Sequence, residues 1–223
     1  MGLILHIDTS SDRAVIAIAD DGKLLYERIN EDARKHASTI NMLINEVAAD
    51  AGVSLKDIIA FSVIGGPGSY TGLRIGLATA KAFCYALNKP LLLINKLTLL
   101  ALQQAEIMDD KYEYYGAILP AREKEYFVHL CDKQQNAVLQ PQHIFETDLI
   151  TTLKSLNVNA FIAARPYKWT TELQNTVEFA DNEKIDLKFW CRYSQNLYNC
   201  NQFSILADAE PFYLKQVYVS VKA

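Results

Sequence analysis

The sequence contains few cysteines, and they lack the usual spacings of metal or redox sites. Its 223 residues include only Cys84, Cys131, Cys191 and Cys200, and no two of them form a CxxC pair. A disulfide scaffold and a cysteine-rich zinc site are therefore excluded, although a Cys191–Cys200 bridge stays open. Reduced thiols are the simplest interpretation, and they predict a cytoplasmic protein.

Positive charge and long apolar runs are also scarce. The chain has 22 lysines and arginines against 26 aspartates and glutamates, which gives a net charge of −4. Nonspecific nucleic-acid binding needs clustered positive charge, so we expect RNA contact only inside a complex whose other chains supply it. No run reaches the roughly 18 apolar residues of a membrane span, and the opening MGLILHIDTS is too short and uncharged for a signal peptide. The sequence therefore predicts no membrane contact.

The four histidines do not have the spacing of a metal site. His6, His36, His129 and His143 are far apart, and no pair shows an HxxxH or similar pattern. Zinc sites usually place two ligands a few residues apart. We therefore expect no metal at these side chains.

What the sequence does have is an apolar composition and an ordered first half. Half of its residues are apolar, which is ample for a sizeable core. Three apolar runs separated by turn residues are typical of antiparallel strands: Leu3–Ile7, Ala14–Ala19 and Lys23–Ile29. Helices and strands then alternate: a helix over Thr39–Ala51 that Ser38 or Thr39 could cap, a strand over Ile58–Ile64, a helix over Leu73–Leu87, a strand over Leu91–Ile94 and a helix over Leu97–Met108. Since helices between strands imply parallel crossovers, we predict an α/β fold with a mixed five-stranded sheet.

The second half has a weaker pattern. Asp109–Lys111 is a polar break, which predicts domains over residues 1–108 and 109–223. The segments beyond it have these patterns: strands over Tyr114–Leu119, Glu125–Cys131 and Ala137–Phe145, a helix over Leu149–Leu156 and a strand over Ala160–Ala164. From Arg165 to Asn201 no regular pattern is visible. We therefore expect a smaller and incomplete second lobe.

The most unusual stretch is GGPGSYTGLRIG, from Gly65 to Gly76. Glycines let a backbone approach a ligand, and the following helix directs free N–H groups and a positive dipole at the loop. The spacing matches neither a Walker A loop nor a dinucleotide fingerprint. The alternative is a tight strand-to-helix turn whose glycines permit close packing, and both interpretations stay open. The candidate phosphate-site residues are Asp8, Gly66, Gly68, Ser69 and Thr71. For Asp8 alone, capping of its own turn is the favoured interpretation.

Four stretches together resemble one family. They are IDTSSDRAVIAIADDGKLL at the start, His36 with the helix behind it, GGPGSYTGLRIGLATAKAF in the middle, and PFYLK near the end. They resemble the TsaB (YeaZ) family, noncatalytic paralogues of TsaD in the actin/hexokinase-like ATPase superfamily. The resemblance implies a ribonuclease H-like amino-terminal lobe with partner-binding helices on a mixed five-stranded sheet, and a smaller, degenerate second α/β lobe.

The resemblance also implies a function. TsaB-type proteins are required for threonylcarbamoyl modification of the adenosine next to the anticodon in tRNAs that read ANN codons. By resemblance this chain would be a noncatalytic scaffold that dimerises with a TsaD-type catalytic subunit and helps to recruit a TsaE-type ATPase. Alone it would form a homodimer, and tRNA would bind only within the complex. No cofactor is certain, and ATP/ADP with Mg at an interface of the complex is left open.

A missing metal motif supports the noncatalytic expectation. TsaD-type enzymes carry a VNHxxxH stretch just after the strand that follows the glycine loop. The matching stretch here runs from Ile94 to Leu100, and the two ligand positions are Lys96 and Leu100. An ammonium repels a cation and leucine offers no lone pair. The resemblance therefore implies no metal and no catalytic residues in this chain.

The two helices of the first half are the expected partner surface. The helix after the glycine loop is apolar nearly all round, so one face should meet something other than its own sheet. The resemblance implies that partners pair through their amino-terminal lobes. The candidate interface residues on the two helices are therefore the following: His36, Ile40, Leu43, Ile44, Val47, Leu73, Arg74, Leu77, Ala78 and Lys81. The alternative is that both helices are fully covered inside the monomer.

Two other functions would need other groups. A small ATP-dependent phosphotransferase of the sugar-kinase type would use Asp8 and the loop from Gly66 to Gly72 on a nucleotide. A peptidase would need a nucleophile or metal constellation that the sequence does not offer.

Overall fold

The computed structural model describes residues 2–108, 111–132, 134–156, 160–164, 169–180 and 184–214. The chain forms two compact units, Met1–Lys96 with Ile185–Phe212, and Leu97–Lys184 with Tyr213–Ala223. This division differs from the expected boundary between residues 108 and 109. The chain returns to the first unit after residue 184, because a late helix packs on the first sheet.

The first unit contains a mixed five-stranded sheet in the order β3-β2-β1-β4-β5. Its strands are β1 (Leu3–Asp8), β2 (Ala14–Asp20), β3 (Lys23–Asn30), β4 (Ala60–Gly66) and β5 (Leu91–Asn95). The central strand β1 pairs antiparallel with β2 and parallel with β4. Every residue of β1 and β4 is buried, as expected for central strands that are covered on both faces. The predicted α/β fold with a mixed sheet is thus confirmed.

Helices cover the two faces of this sheet. Helices α1 (His36–Asp50) and α2 (Tyr70–Leu87) share one core with alternate residues of β1, Leu5 and Ile7 among them. The intervening His6 points the other way, towards α6 (Leu187–Asn199). Ser38 and Thr39 do not cap α1, because the helix begins earlier and their hydroxyls donate to the Lys35 carbonyl.

The second unit repeats the strand order of the first. Its strands are β6 (Tyr114–Arg122), β7 (Glu125–Asp132), β8 (Ala137–Phe145), β9 (Ala160–Ala164) and β10 (Glu178–Ala180). Their order is β10-β9-β6-β7-β8, an antiparallel meander followed by two parallel strands. Its helices are α3 (Lys96–Met108), which begins at the unit boundary, α4 (Glu146–Ser155) and α5 (Thr171–Gln174). Five strands are present among the described residues of this unit, and β10 and α5 have only 3 and 4 residues. That this lobe is incomplete stays a prediction.

Three of the four cysteines are buried, and Cys200 is exposed. All four are free thiols, so the Cys191–Cys200 bridge left open by the sequence is not formed. Burial raises the pKa of Cys131 to about 11 and that of Cys84 and Cys191 to about 12. These thiols are unreactive core residues at neutral pH. Within the described ranges, none of the helices is long and apolar enough to cross a membrane.

A buried polar cluster joins α6 to the central strands. The ring of His6 meets Trp190 edge-on with centroids 5.0 Å apart. The Trp190 indole donates to the Ser62 hydroxyl at 3.0 Å, and Ser62 lies 2.9 Å from Ser194. Burial lowers the pKa of His6 from 6.5 to about 4, and its backbone neighbours offset this only in part. His6 is therefore neutral in the folded protein.

This lowered pKa predicts a loss of stability in mild acid. Between pH 6.5 and pH 4 the unfolded chain protonates His6 while the folded chain does not, so the free energy of unfolding falls as the pH falls. The loss should amount to roughly 3 kcal/mol across this window. A His6→Asn variant cannot titrate there, and urea unfolding at several pH values should show a flatter profile. An equally steep profile in the variant would contradict the assignment.

Candidate functional site

The glycine loop lies where two parallel strands end side by side. It joins β4 to α2, and the turn after β1, Asp8 to Ser10, lies next to it because β1 pairs with β4. The Ser69 amide donates to the Ser10 carbonyl at 2.7 Å. The Thr9 hydroxyl donates to the Gly72 carbonyl at 2.7 Å. Hydrogen bonds thus join the turn after β1 to the last residue of the loop, Ser69, and to the first turn of α2.

The glycines at the start of α2 are required by this contact. A Cβ atom at Gly72 would lie 1.9 Å from the Thr9 carbonyl oxygen, and one at Gly68 would lie 2.3 Å from that of Ser10. At Gly76 it would lie 2.4 Å from the Thr9 hydroxyl oxygen. No side chain fits at such distances. These glycines allow α2 to lie directly against the turn after β1.

The first two glycines of the loop, Gly65 and Gly66, lie close to Phe212, near the end of the described chain. The Phe212 amide donates to the Gly65 carbonyl at 2.7 Å, and a Cβ at Gly65 would lie 2.8 Å from the Phe212 ring. Gly66 has φ +121, a conformation open to glycine. Two stretches that carry the family resemblance, the glycine loop and PFYLK, are therefore in contact through Phe212. The sequence alone shows both stretches but gives no sign that they are in contact.

Two N–H groups in the first turn of α2 are engaged by the protein itself. Gly72 donates to the Ser69 hydroxyl at 3.3 Å and Leu73 to the Ser69 carbonyl at 2.8 Å. Carbonyl oxygens of Thr9 and Ser10 lie against the same turn, and they disfavour an anion. Ser69 and Thr71 are exposed. Phosphate binding at this loop stays a prediction, and the described contacts favour the packing interpretation.

Asp8 has the role of a turn cap. Its side chain is 8% exposed, and its Oδ1 accepts the Ser10 amide at 2.8 Å. An aspartate that caps a turn is expected to accept such a hydrogen bond from the backbone two residues on. Asp8 therefore has a structural role that requires no ligand.

Lys96 supplies a cation beside this turn. Its side chain is 8% exposed, and its ammonium donates to the Ser10 hydroxyl at 3.4 Å. Leu100, at the second position matched to the metal motif, is fully buried. A divalent cation does not fit next to a buried ammonium. Among the residues that the structure describes, no group of three or more histidine, cysteine or acidic side chains could hold a metal ion.

Most of the expected interface residues are internal. Seven of them are buried within the first unit: His36, Ile40, Leu43, Ile44, Val47, Leu73 and Leu77. His36 donates from Nε2 to the Ser11 carbonyl at 3.0 Å. The prediction that these side chains face a partner is corrected, because helical periodicity marks an apolar stripe without saying which neighbour it meets.

The exposed side of α2 is a second, smaller stripe. We call it the α2 face, and it comprises Arg74, Ala78, Ala82 and Tyr85, which follow one another at helical spacing. Tyr85 is 84% exposed. The Arg74 guanidinium stacks over the exposed Tyr70 ring, 4.0 Å from its centroid. Of the expected interface residues, Arg74 and Ala78 belong to this face, and Lys81 is half-buried at its side.

Known structures assign the architecture to a class. YeaZ from Pseudomonas aeruginosa aligns with a TM-score of 0.70 at 18% identity, over 94% of this chain and all of that one. A Pseudomonas aeruginosa protein described as similar to peptidase YEAZ gives a TM-score of 0.79 at 19% identity, over 96% of this chain and all of that one. An Arthrobacter polyphosphate/ATP-glucomannokinase gives 0.51 at 11% identity, over 89% of this chain and all of that one. The chain therefore has the actin/hexokinase-like fold.

Sequence comparison then gives the family. The family model for TsaD, tRNA N6-adenosine threonylcarbamoyltransferase, matches residues 24–142, so the chain belongs to this family. The transferase of Novosphingobium aromaticivorans is 34% identical over 118 residues, which are 44% of this chain and 34% of the relative. The TsaB protein of Haemophilus influenzae is 32% identical over 125 residues, 56% of this chain and 51% of the relative. The TsaB (YeaZ) resemblance is thus confirmed, and the matched stretch spans about a third of the transferase and half of the TsaB relative.

The contact between Gly72 and Thr9 predicts a costly substitution. Gly72→Ala should lower the free energy of unfolding by about 3 kcal/mol, since its methyl group overlaps a backbone carbonyl. Urea unfolding measures the effect. The control is Thr71→Ala, an exposed neighbour, which should change stability by less than about 0.5 kcal/mol. A Gly72→Ala variant as stable as the control would show that α2 does not lie against the turn.

Proposed function

We propose that this chain is a noncatalytic subunit of the machinery that makes N6-threonylcarbamoyladenosine beside the anticodon of tRNAs reading ANN codons. It binds a TsaD-type catalytic subunit and helps to recruit a TsaE-type ATPase in the cytoplasm. Its relatives include both the transferase and TsaB, so the family alone does not decide between a catalytic and a supporting role.

The buried Lys96 favours a supporting role over a catalytic one. At the position that matches a metal ligand of TsaD-type enzymes, the buried Lys96 donates to Ser10. The neighbouring Asp8 accepts the Ser10 amide. The groups that a metal–nucleotide complex would use are therefore bonded to each other and to an ammonium. This arrangement favours a structural role for the glycine loop.

The α2 face supports binding of a protein partner. It presents the small side chains of Ala78 and Ala82 between Arg74 and Tyr85. Alanines permit close approach of another helix, and exposed tyrosine and arginine are the residue types that most often dominate protein interfaces. Met42 of the adjoining α1 is 52% exposed and offers a flexible apolar contact. In this proposal the partner is the TsaD-type subunit, or a second copy of the chain when it is alone.

Reconstitution tests the proposal directly. The assay contains the tRNA, a threonylcarbamoyl donor, and the TsaD-type and TsaE-type proteins of the same organism, with and without this chain. We expect threonylcarbamoyladenosine to accumulate only when the chain is present. Equal modification without the chain would contradict a required subunit.

The isolated chain provides the contrary test. It should hydrolyse no ATP at an enzyme-like rate, and calorimetry should detect no heat with millimolar ATP and Mg²⁺. ATP turnover that disappears in an Asp8→Ala variant would instead support the phosphotransferase of the sugar-kinase type.

A charge on the α2 face should disrupt association without unfolding the chain. Ala78→Glu or Ala82→Glu places a carboxylate in the proposed contact, and it should weaken dimerisation by roughly tenfold or more. Sedimentation equilibrium measures association, and urea unfolding checks that stability changes by less than about 0.5 kcal/mol. The control is Ala137→Glu at an exposed position of β8. Unchanged association in both α2 variants would remove the face from the proposal.

A further inference from the structure

The segment after α6 runs along the first unit, and we call it the strap. Its helix ends with Gln202 donating to the Leu197 carbonyl and Asn201 at φ +54. Ser204 then forms an antiparallel bridge with Leu91 of β5, donating to its carbonyl at 2.9 Å. The Leu93 amide donates to the Ser204 hydroxyl at 3.2 Å. Since β5 is the last strand of the sheet, the strap covers an open edge.

A lysine of α2 holds the middle of the strap. The Lys81 ammonium donates to the carbonyl of Ala207 at 3.3 Å and to that of Ala209 at 3.0 Å. Ala209 is buried in the core of the first unit, and Leu206 packs against that core. An ammonium can satisfy several carbonyl oxygens at once, and its charge strengthens each bond. Lys81 is thus used inside the chain rather than being a free surface charge.

The strap ends at the glycine loop. Phe212 donates to the Gly65 carbonyl and places its ring against Gly65. The strap therefore has three attachments: the edge of β5, the middle of α2, and the loop from which α2 starts. Together they support α2 from the side, while Thr9 and Ser10 support its start.

Lys81 lies next to the α2 face. It follows Ala78 by three positions and precedes Tyr85 by four, so it shares their side of the helix. We propose that Lys81 clasps residues 202–212 against α2, and that this clasp holds the helix in the position in which it meets a partner. Lys81 is a positioning residue in this proposal, and its link to partner binding rests on the proposed function above.

An opened clasp would change the surface in two ways. The Leu91 carbonyl and Leu93 amide would lose Ser204, which leaves an unpaired strand edge beside α2. The apolar Leu206 and Ala209 would leave the core that α2 shares with the sheet. Both changes would loosen the helix whose outer face is to bind the partner.

Hydrogen exchange and association test the clasp in the full chain. The variants are Lys81→Met, which keeps length but loses the donors, Lys81→Arg, which restores donors, and Lys56→Met as an exposed control. In Lys81→Met we expect exchange at the Ser204, Phe212 and Leu93 amides and in α2 to rise about tenfold, and association to weaken about tenfold. Lys81→Arg should restore both, and Lys56→Met should match the wild type.

The possible outcomes separate the clasp from the proposed function. Wild-type exchange at Ser204 and Phe212 in Lys81→Met would overturn the clasp. An opened strap with wild-type exchange in α2 and wild-type association would overturn its role in positioning the helix. A wild-type chain that binds neither itself nor the TsaD-type subunit would contradict the proposed function but not the clasp. Hydrogen exchange in α2 would still decide whether the clasp positions the helix.

Discussion

The first unit depends on the close approach of one backbone turn to the start of one helix. The carbonyl oxygens of Thr9 and Ser10 lie where the Cβ atoms of Gly72 and Gly68 would be. Because the turn follows the central strand β1, this contact fixes α2 against the middle of the sheet. The same carbonyl oxygens occupy the end of the helix that would otherwise attract a phosphate. The contact that packs the helix therefore also disfavours an anion at its start, while phosphate binding at the loop stays a prediction.

The two units share a strand order but differ in the glycine content of one loop. Both have an antiparallel meander followed by two parallel strands. In the first unit the loop after the fourth strand is rich in glycine, and an 18-residue helix follows it. In the second unit the chain between β9 and α5 contains no glycine, and α5 has 4 residues.

The sequence predicted the elements that have strong local patterns. The strands of the first half, β6 to β9 and the helices α2 to α4 agree with the structure to within a few residues, because apolar period and turn residues mark them. The late helix α6 was missed, since apolar and polar residues are mixed along it and its buried Trp190 and Ser194 find their partner in Ser62, distant in sequence. The sequence also could not show which side of α1 and α2 is exposed to solvent. Ile44 and Ala78 are both apolar, and only the fold buries the first and exposes the second.

Light scattering tests the proposal that α2 binds a protein rather than a nucleotide. The chain is measured alone and after mixing with the TsaD-type protein of the same organism. We expect a particle of twice the chain's 25.1 kDa when it is alone, and conversion into a heterodimer after mixing. A monomer whose mass is unchanged by the TsaD-type protein would contradict it.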